Sequence, residues 1–100
     1  MMRIPFSRPD ITEEEISEVA RVMRSGWVTS GPEMKLFEAE FAQQYPGTQA
    51  VAVNSATAGL HLALEALGVK EGDHVLVPAL TFTATAEVVR YFRCMEVIVS

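Results

Sequence analysis

The stretch that most constrains the fold lies between residues 50 and 68, where a short apolar run leads through small residues into a helix-forming segment. Ala50–Val53 is predicted to form a strand, and Ala56–Leu67 is predicted to form a helix that Gly68 ends. The helix is apolar on nearly all sides, which predicts that it is buried among other elements. A strand that runs directly into a buried helix favours an α/β fold.

The same alternation continues to the end of the chain. His74–Val77 is predicted to be a strand, Thr83–Phe92 a helix, and the segment near Val97 a further strand. The order βαβαβ predicts a mostly parallel sheet with right-handed crossovers. Because the last strand has barely begun at Ser100, we expect the sequence to be the N-terminal part of a longer protein.

Two further helices are predicted before this α/β segment. Thr12 and Glu15 have the spacing of a capping box, which starts the first helix. Pro32 is suited to the first position of the second helix. We therefore divide the chain into residues 1–48, an N-terminal arm with two helices, and residues 49–100, the incomplete start of an α/β domain.

The composition disfavours several classes of protein. The net charge of −5 argues against a nucleic acid partner. The single cysteine, Cys94, excludes an internal disulfide and gives no support to a metal site. No apolar run approaches the length of a membrane span, and the N-terminus lacks the apolar segment of a secretion signal. We therefore expect a cytoplasmic protein with no membrane partner.

The start of the Ala56–Leu67 helix is a candidate anion site. The first amides of a helix have no acceptor within it, and the helix dipole favours negative charge there. A phosphate group would suit this position, and Ser55 and Thr57 could add hydroxyl donors. Ser55 could instead act as an ordinary N-cap for one or two of these amides. Helix physics alone leaves the two interpretations evenly balanced.

A second candidate segment follows the predicted strand His74–Val77. Residues 77–86 would emerge at the same carboxyl edge of the sheet as Ser55, and open α/β sheets bind ligands at that edge. The ring of Phe82 could lie over a flat heteroaromatic cofactor. Taken alone, however, the pattern favours Phe82 as a core residue of the next helix.

Three segments resemble parts of a known family: Gly26–Pro32, Asn54–His61 and Pro78–Thr85. Their order and spacing are similar to the N-terminus of the DegT/DnrJ/EryC1/StrS family, which comprises fold-type-I sugar aminotransferases that use pyridoxal 5'-phosphate (PLP). The opening Pro5–Pro9 is most similar to the branch that converts UDP-linked 4-keto sugars to 4-amino sugars for lipid A or surface polysaccharide.

The resemblance implies a role for several residues. Ala56, Thr57 and Ala58 match the positions that hold the PLP phosphate. Phe82 matches the aromatic residue that stacks on the cofactor ring, where some relatives carry tryptophan. The loop Gly26–Pro32 matches a stretch near the mouth of the active site.

Trp27 and Thr29 are accordingly expected to contact substrate or partner, although packing is an equally good explanation for Trp27. The resemblance places the catalytic lysine downstream of these 100 residues. Lys35 and Lys70 are the only lysines here, and neither position suits a desolvated imine lysine. No catalytic residue is therefore expected within the chain.

For the longer protein, the resemblance implies a homodimeric enzyme that transfers an amino group, with glutamate as the expected donor, to a nucleotide-linked keto sugar. Three alternatives stay open. The parent could be a sugar dehydratase of the same family, in which histidine replaces the lysine. It could be a nucleotide-binding domain of a reductase or methyltransferase, against which the missing three-glycine fingerprint argues. It could also be a non-catalytic binding protein built on this fold.

Overall fold

The computed structural model describes residues 5–100, so the first four residues of the predicted segment 1–48 lie outside the described range. The chain divides into two compact units, Met1–Val51 and Ala52–Ser100. The first unit contains α1 (Glu13–Arg24) and α2 (Pro32–Gln43). The second contains α3 (Ala56–Ala66), β1 (His74–Pro78), α4 (Ala84–Tyr91) and β2 (Met95–Val99).

Helix α1 begins with the predicted capping box. The Thr12 hydroxyl accepts a hydrogen bond from the Glu14 amide at 3.2 Å, and a Glu15 carboxylate oxygen accepts one from the Thr12 amide at 2.6 Å. Hydrogen bonds from Thr12 also lower the pKa of Glu15. These bonds satisfy amides that the helix itself cannot satisfy, which confirms that Thr12 starts α1.

An arginine fork joins the two helices of the first unit. Arg21 donates to both carboxylate oxygens of Glu33, at 3.1 and 2.9 Å. This hydrogen bonding lowers the pKa of Glu33 and raises the pKa of Arg21. Both side chains are about half exposed, so the pair fixes the direction of the contact more than it adds stability.

The core of the second unit lies where α4 packs on a parallel pair of strands. Strands β1 and β2 are adjacent, with Val77 opposite Ile98. The buried side chains come from β1, α4 and the residue before β2: Val77, Ala84, Val88, Val89 and Cys94. The prediction of parallel strands connected through a helix is therefore confirmed for this part of the chain.

Two predictions for the segment 50–68 were wrong within the described residues. Residues 50–53 form no strand, because neither β1 nor β2 pairs with this run in the part of the chain that the structure describes. Helix α3 has no buried residue, and Leu62 is 51% exposed. The helix is apolar on several sides, but within residues 5–100 only α4 packs extensively against it. Its other apolar sides therefore stay exposed.

The ion pair between α4 and β2 makes stability depend on pH. Arg90 donates to Glu96 at 2.9 Å, and this hydrogen bond lowers the pKa of Glu96 from 4.5. A lowered folded-state pKa adds stability above the unfolded pKa, and this stability is lost as the pH falls through the folded pKa. We expect Glu96→Gln to lower the unfolding temperature at neutral pH and to have little effect at strongly acidic pH.

Thermal unfolding of the two proteins across this pH range would check the expectation. Glu65→Gln is the matched control, because Glu65 is exposed and makes no ion pair among residues 5–100. Equal losses at both pH extremes for Glu96→Gln would contradict the assigned role of the charge.

Candidate functional site

The first turn of α3 is organised by Ser55, the residue immediately before it. The Ser55 hydroxyl accepts a hydrogen bond from the Ala58 amide at 3.1 Å and donates to Asn54 Oδ1 at 3.3 Å. The Ser55 carbonyl accepts from the Gly59 amide at 3.1 Å. Ser55 is therefore a true N-cap, and the amide of Ala58 is already used within the protein.

The amides of the first two helical residues are left for another acceptor. Neither Ala56 nor Thr57 donates its amide to any acceptor in residues 5–100, and the Thr57 hydroxyl has no partner there either. Ala56 is exposed and Thr57 is half-buried. Two amides and one hydroxyl are thus left without a partner in the first turn of an 11-residue helix, at its positive end.

The start of α1 provides a comparison, because acidic side chains of the first turn lie beside its free amides. Its first turn carries three glutamates, Glu13, Glu14 and Glu15, and Glu15 closes the capping box. The first turn of α3 carries no acidic residue. No carboxylate of that turn therefore competes for the amides of Ala56 and Thr57, and the donor set fits an anion such as a phosphate ester.

Phe82 lies in the loop between β1 and α4, in the same compact unit as the start of α3. Its side chain is 79% exposed, whereas the core side of α4 consists of Ala84, Val88 and Val89. The alternative interpretation of Phe82 as a core residue is therefore wrong for the described chain. Phe82 makes no hydrogen bond or ring contact with the start of α3 among residues 5–100.

Trp27 and Thr29 lie in the first unit and line one open groove of about 430 Å³. The Trp27 indole donates to the Ser30 carbonyl at 3.1 Å. A Cβ atom at Gly31 would lie 1.8 Å from the indole nitrogen, so only glycine permits this approach. Trp27 thus holds its own loop, its N–H is already used, and its exposed ring surface is what remains for a ligand.

Three side chains in these segments were not singled out from the sequence. Asn54 supports the N-cap serine, and the hydroxyls of Thr81 and Thr85 lie 2.9 Å apart on either side of Phe82. The available signal was the spacing of the threonines, since hydroxyls four residues apart can meet across a helix start.

Other kinds of site find no support in the part of the chain that the structure describes. Lys35 and Lys70 are both exposed, the setting expected of ordinary surface lysines. Residues 5–100 contain no cluster of three side chains able to hold a metal ion. Over the same range, every helix is too short or too polar to cross a bilayer.

Comparison with known proteins finds a family that matches this chain. The model of the DegT/DnrJ/EryC1/StrS aminotransferase family matches residues 9–100. Spr1654 from Streptococcus pneumoniae, a proposed sugar aminotransferase solved in a PMP-form and a PLP-form, is 46% identical over 98% of this chain, with a TM-score of 0.85.

An aminotransferase from Psychrobacter cryohalolentis is 36% identical over 94% of the chain, with a TM-score of 0.82. The E. coli GDP-4-keto-6-deoxy-D-mannose-3-dehydratase with bound hydrated PLP matches the whole chain with a TM-score of 0.86, but its 24% identity shows a shared fold alone. The chain spans 25% of the length of Spr1654, 25% of the Psychrobacter enzyme and 27% of the dehydratase.

Proposed function

This chain belongs to the DegT/DnrJ/EryC1/StrS aminotransferase family, and on that premise we propose that the longer protein is a PLP-dependent aminotransferase that acts on a nucleotide-linked keto sugar. The observation that carries the proposal is the set of unused donors at the start of α3, in a chain 46% identical to a protein solved in a PLP-form. The present segment supplies part of the cofactor site.

The amides of Ala56 and Thr57 and the hydroxyl of Thr57 hold the cofactor phosphate. They would donate to a dianionic group, and the helix dipole would add to the attraction. Ala58 belongs to the same first turn, but its amide is bonded to Ser55 at 3.1 Å. Its contribution is therefore its small side chain, which leaves the backbone around it accessible to the phosphate.

Phe82 supplies an apolar ring surface for the face of the cofactor. Aromatic rings stack favourably when they are offset, and the 79% exposure of Phe82 leaves its ring free to do so. When bound, PLP acts as an electron sink for the bonds that are broken at the amino donor. The protein segment described here binds and orients that group.

The substrates and surroundings follow from the family premise. We propose that the acceptor is a nucleotide-linked keto sugar used for lipopolysaccharide or surface polysaccharide, and that glutamate donates the amino group. Trp27 and Thr29 contact the substrate or the second subunit of a homodimer through the groove that they share. The enzyme acts in the cytoplasm, without a membrane or nucleic acid partner.

The catalytic lysine is proposed to lie in the part of the protein beyond this segment. A lysine that forms an imine must lose its proton readily, which requires burial or a neighbouring positive charge. Lys35 and Lys70 are exposed and lack the burial that this requires.

The test is to purify the full-length protein with PLP and to follow its visible absorption. We expect glutamate to abolish this absorption and a nucleotide-linked keto sugar to restore it. The mass of the sugar product separates the two family chemistries, because amination exchanges oxygen for an amino group whereas dehydration removes the elements of water. A deoxy sugar product would favour the dehydratase, and the absence of PLP binding would refute both.

A further inference from the structure

Two threonine side chains close the turn that presents Phe82. Thr81 Oγ1 and Thr85 Oγ1 lie 2.9 Å apart, within hydrogen-bond distance. The Phe82 carbonyl also accepts a hydrogen bond from the Thr85 amide at 3.1 Å. The side-chain bond therefore encloses residues 81–85 and the backbone bond encloses residues 82–85, so that Phe82 lies between the two threonines in the chain.

Packing does not fix this turn within the described residues. Phe82 is 79% exposed and Leu80 is 98% exposed. Thr83, which precedes α4, makes no side-chain hydrogen bond to the first turn of the helix. Within residues 5–100, the position of the Phe82 ring thus depends on the hydrogen bonds of the turn more than on surrounding side chains.

One member of the pair is attached to the core. Thr85 is half-buried, and it lines a hollow of about 150 Å³ together with Val77, Val88 and Val89. Thr81 is exposed. The hydroxyl bond therefore ties the exposed start of the turn to a residue that α4 and β1 hold in place, and the β-branched shape of threonine limits its rotation.

We propose that Thr81 and Thr85 are a positioning pair that holds the Phe82 ring in the orientation needed to stack on the cofactor, an inference that rests on the proposed function. Neither threonine needs to touch the cofactor for this role. Ordering the turn before binding reduces the conformational entropy that is lost when the cofactor is bound, and so strengthens binding.

The test uses the full-length protein and the valine variants of each residue, which remove the hydroxyl and keep the branched shape. We expect Thr81→Val and Thr85→Val to weaken PLP binding about three- to tenfold, the equivalent of one neutral hydrogen bond. In the cofactor-free state, the amides of residues 82–85 should exchange their hydrogen faster in both valine variants than in the wild type. Thr81→Ser, which keeps the hydroxyl, should retain the PLP affinity and the hydrogen exchange of the wild type.

Thr83→Val is the matched control, because this neighbouring threonine is exposed and its hydroxyl has no partner in residues 5–100. It should change PLP affinity and hydrogen exchange by less than about twofold. Thr81 is also exposed, so its valine variant keeps the test independent of any folding defect caused by replacing the half-buried Thr85.

The Phe82→Ala background separates this inference from the proposed function. If the pair acts through the ring, Thr81→Val should cause no further loss of PLP affinity once Phe82 is alanine. An equal loss in both backgrounds, or unchanged exchange and affinity, would overturn the positioning role alone. Full PLP affinity in Phe82→Ala would overturn the role of the ring, and a wild-type protein that does not bind PLP would overturn the proposed function with it.

Discussion

Replacing Thr57 with valine in the full-length protein is expected to weaken PLP binding by roughly 1.5–3 kcal/mol, or about 10- to 150-fold. The reason is that the Thr57 hydroxyl has no partner in residues 5–100 and would donate to a phosphate that carries nearly two negative charges. The amide of the same residue remains, so part of the binding energy is kept. Equilibrium dialysis with PLP, or the visible absorption of the bound cofactor, gives the affinity.

Two further variants separate the effect of the Thr57 hydroxyl from that of the N-cap of α3. Thr57→Ser keeps the donor and should bind PLP within about threefold of the wild type. Ser55→Ala removes the N-cap, which is expected to destabilise α3 by about 1 kcal/mol and to free the Ala58 amide. Unchanged PLP retention in Thr57→Val would refute the phosphate role of the Thr57 hydroxyl, whatever the other variants do.

The local features of the fold could be predicted because short-range interactions determine them. The capping box of α1 depends on residues 12–15 alone, and both hydrogen bonds are present. Pro32 opens α2 as expected, since a first-turn residue needs no amide hydrogen. The parallel pairing of β1 with β2 followed from the single helix between the two strands.

The errors concern features that depend on distant partners. Whether Ala50–Val53 forms a strand depends on a neighbouring strand, and the burial of α3 depends on elements packed against several of its sides. The sequence pattern shows that these segments need packing or pairing partners, but it does not show which elements supply them. Leu62 is apolar and yet 51% exposed for this reason.

The candidate site was predictable in kind but not in its hydrogen bonds. The family resemblance matched Ala56, Thr57 and Ala58 to the cofactor phosphate, but it could not show that Ser55 already uses the Ala58 amide. It likewise could not show that Thr81 and Thr85 meet, because this depends on the backbone path of the turn. Side-chain partners across a turn are set by the fold, not by the residue types alone.

Replacing Val89 with aspartate is expected to destabilise the second unit more than any substitution at the site. Val89 is 1% exposed and packs in a cluster with Val77 and Cys94. The change removes a buried apolar side chain and adds a carboxyl group without a partner, a combined cost of roughly 3–6 kcal/mol. This is a large part of the 5–15 kcal/mol that typically stabilises a domain.

The pH dependence of Val89→Asp would identify the cause. Burial raises the pKa of the new carboxyl group above its unfolded value, so the penalty should grow as the pH rises through the unfolded pKa and shrink in acid. Glu87→Asp, which keeps a carboxylate on the exposed side of α4, should be nearly neutral. Urea unfolding at two pH values measures both. A loss of stability that does not depend on pH would mean that the lost packing alone is responsible. No loss of stability would mean that α4 does not bury Val89 against β1 in the longer protein.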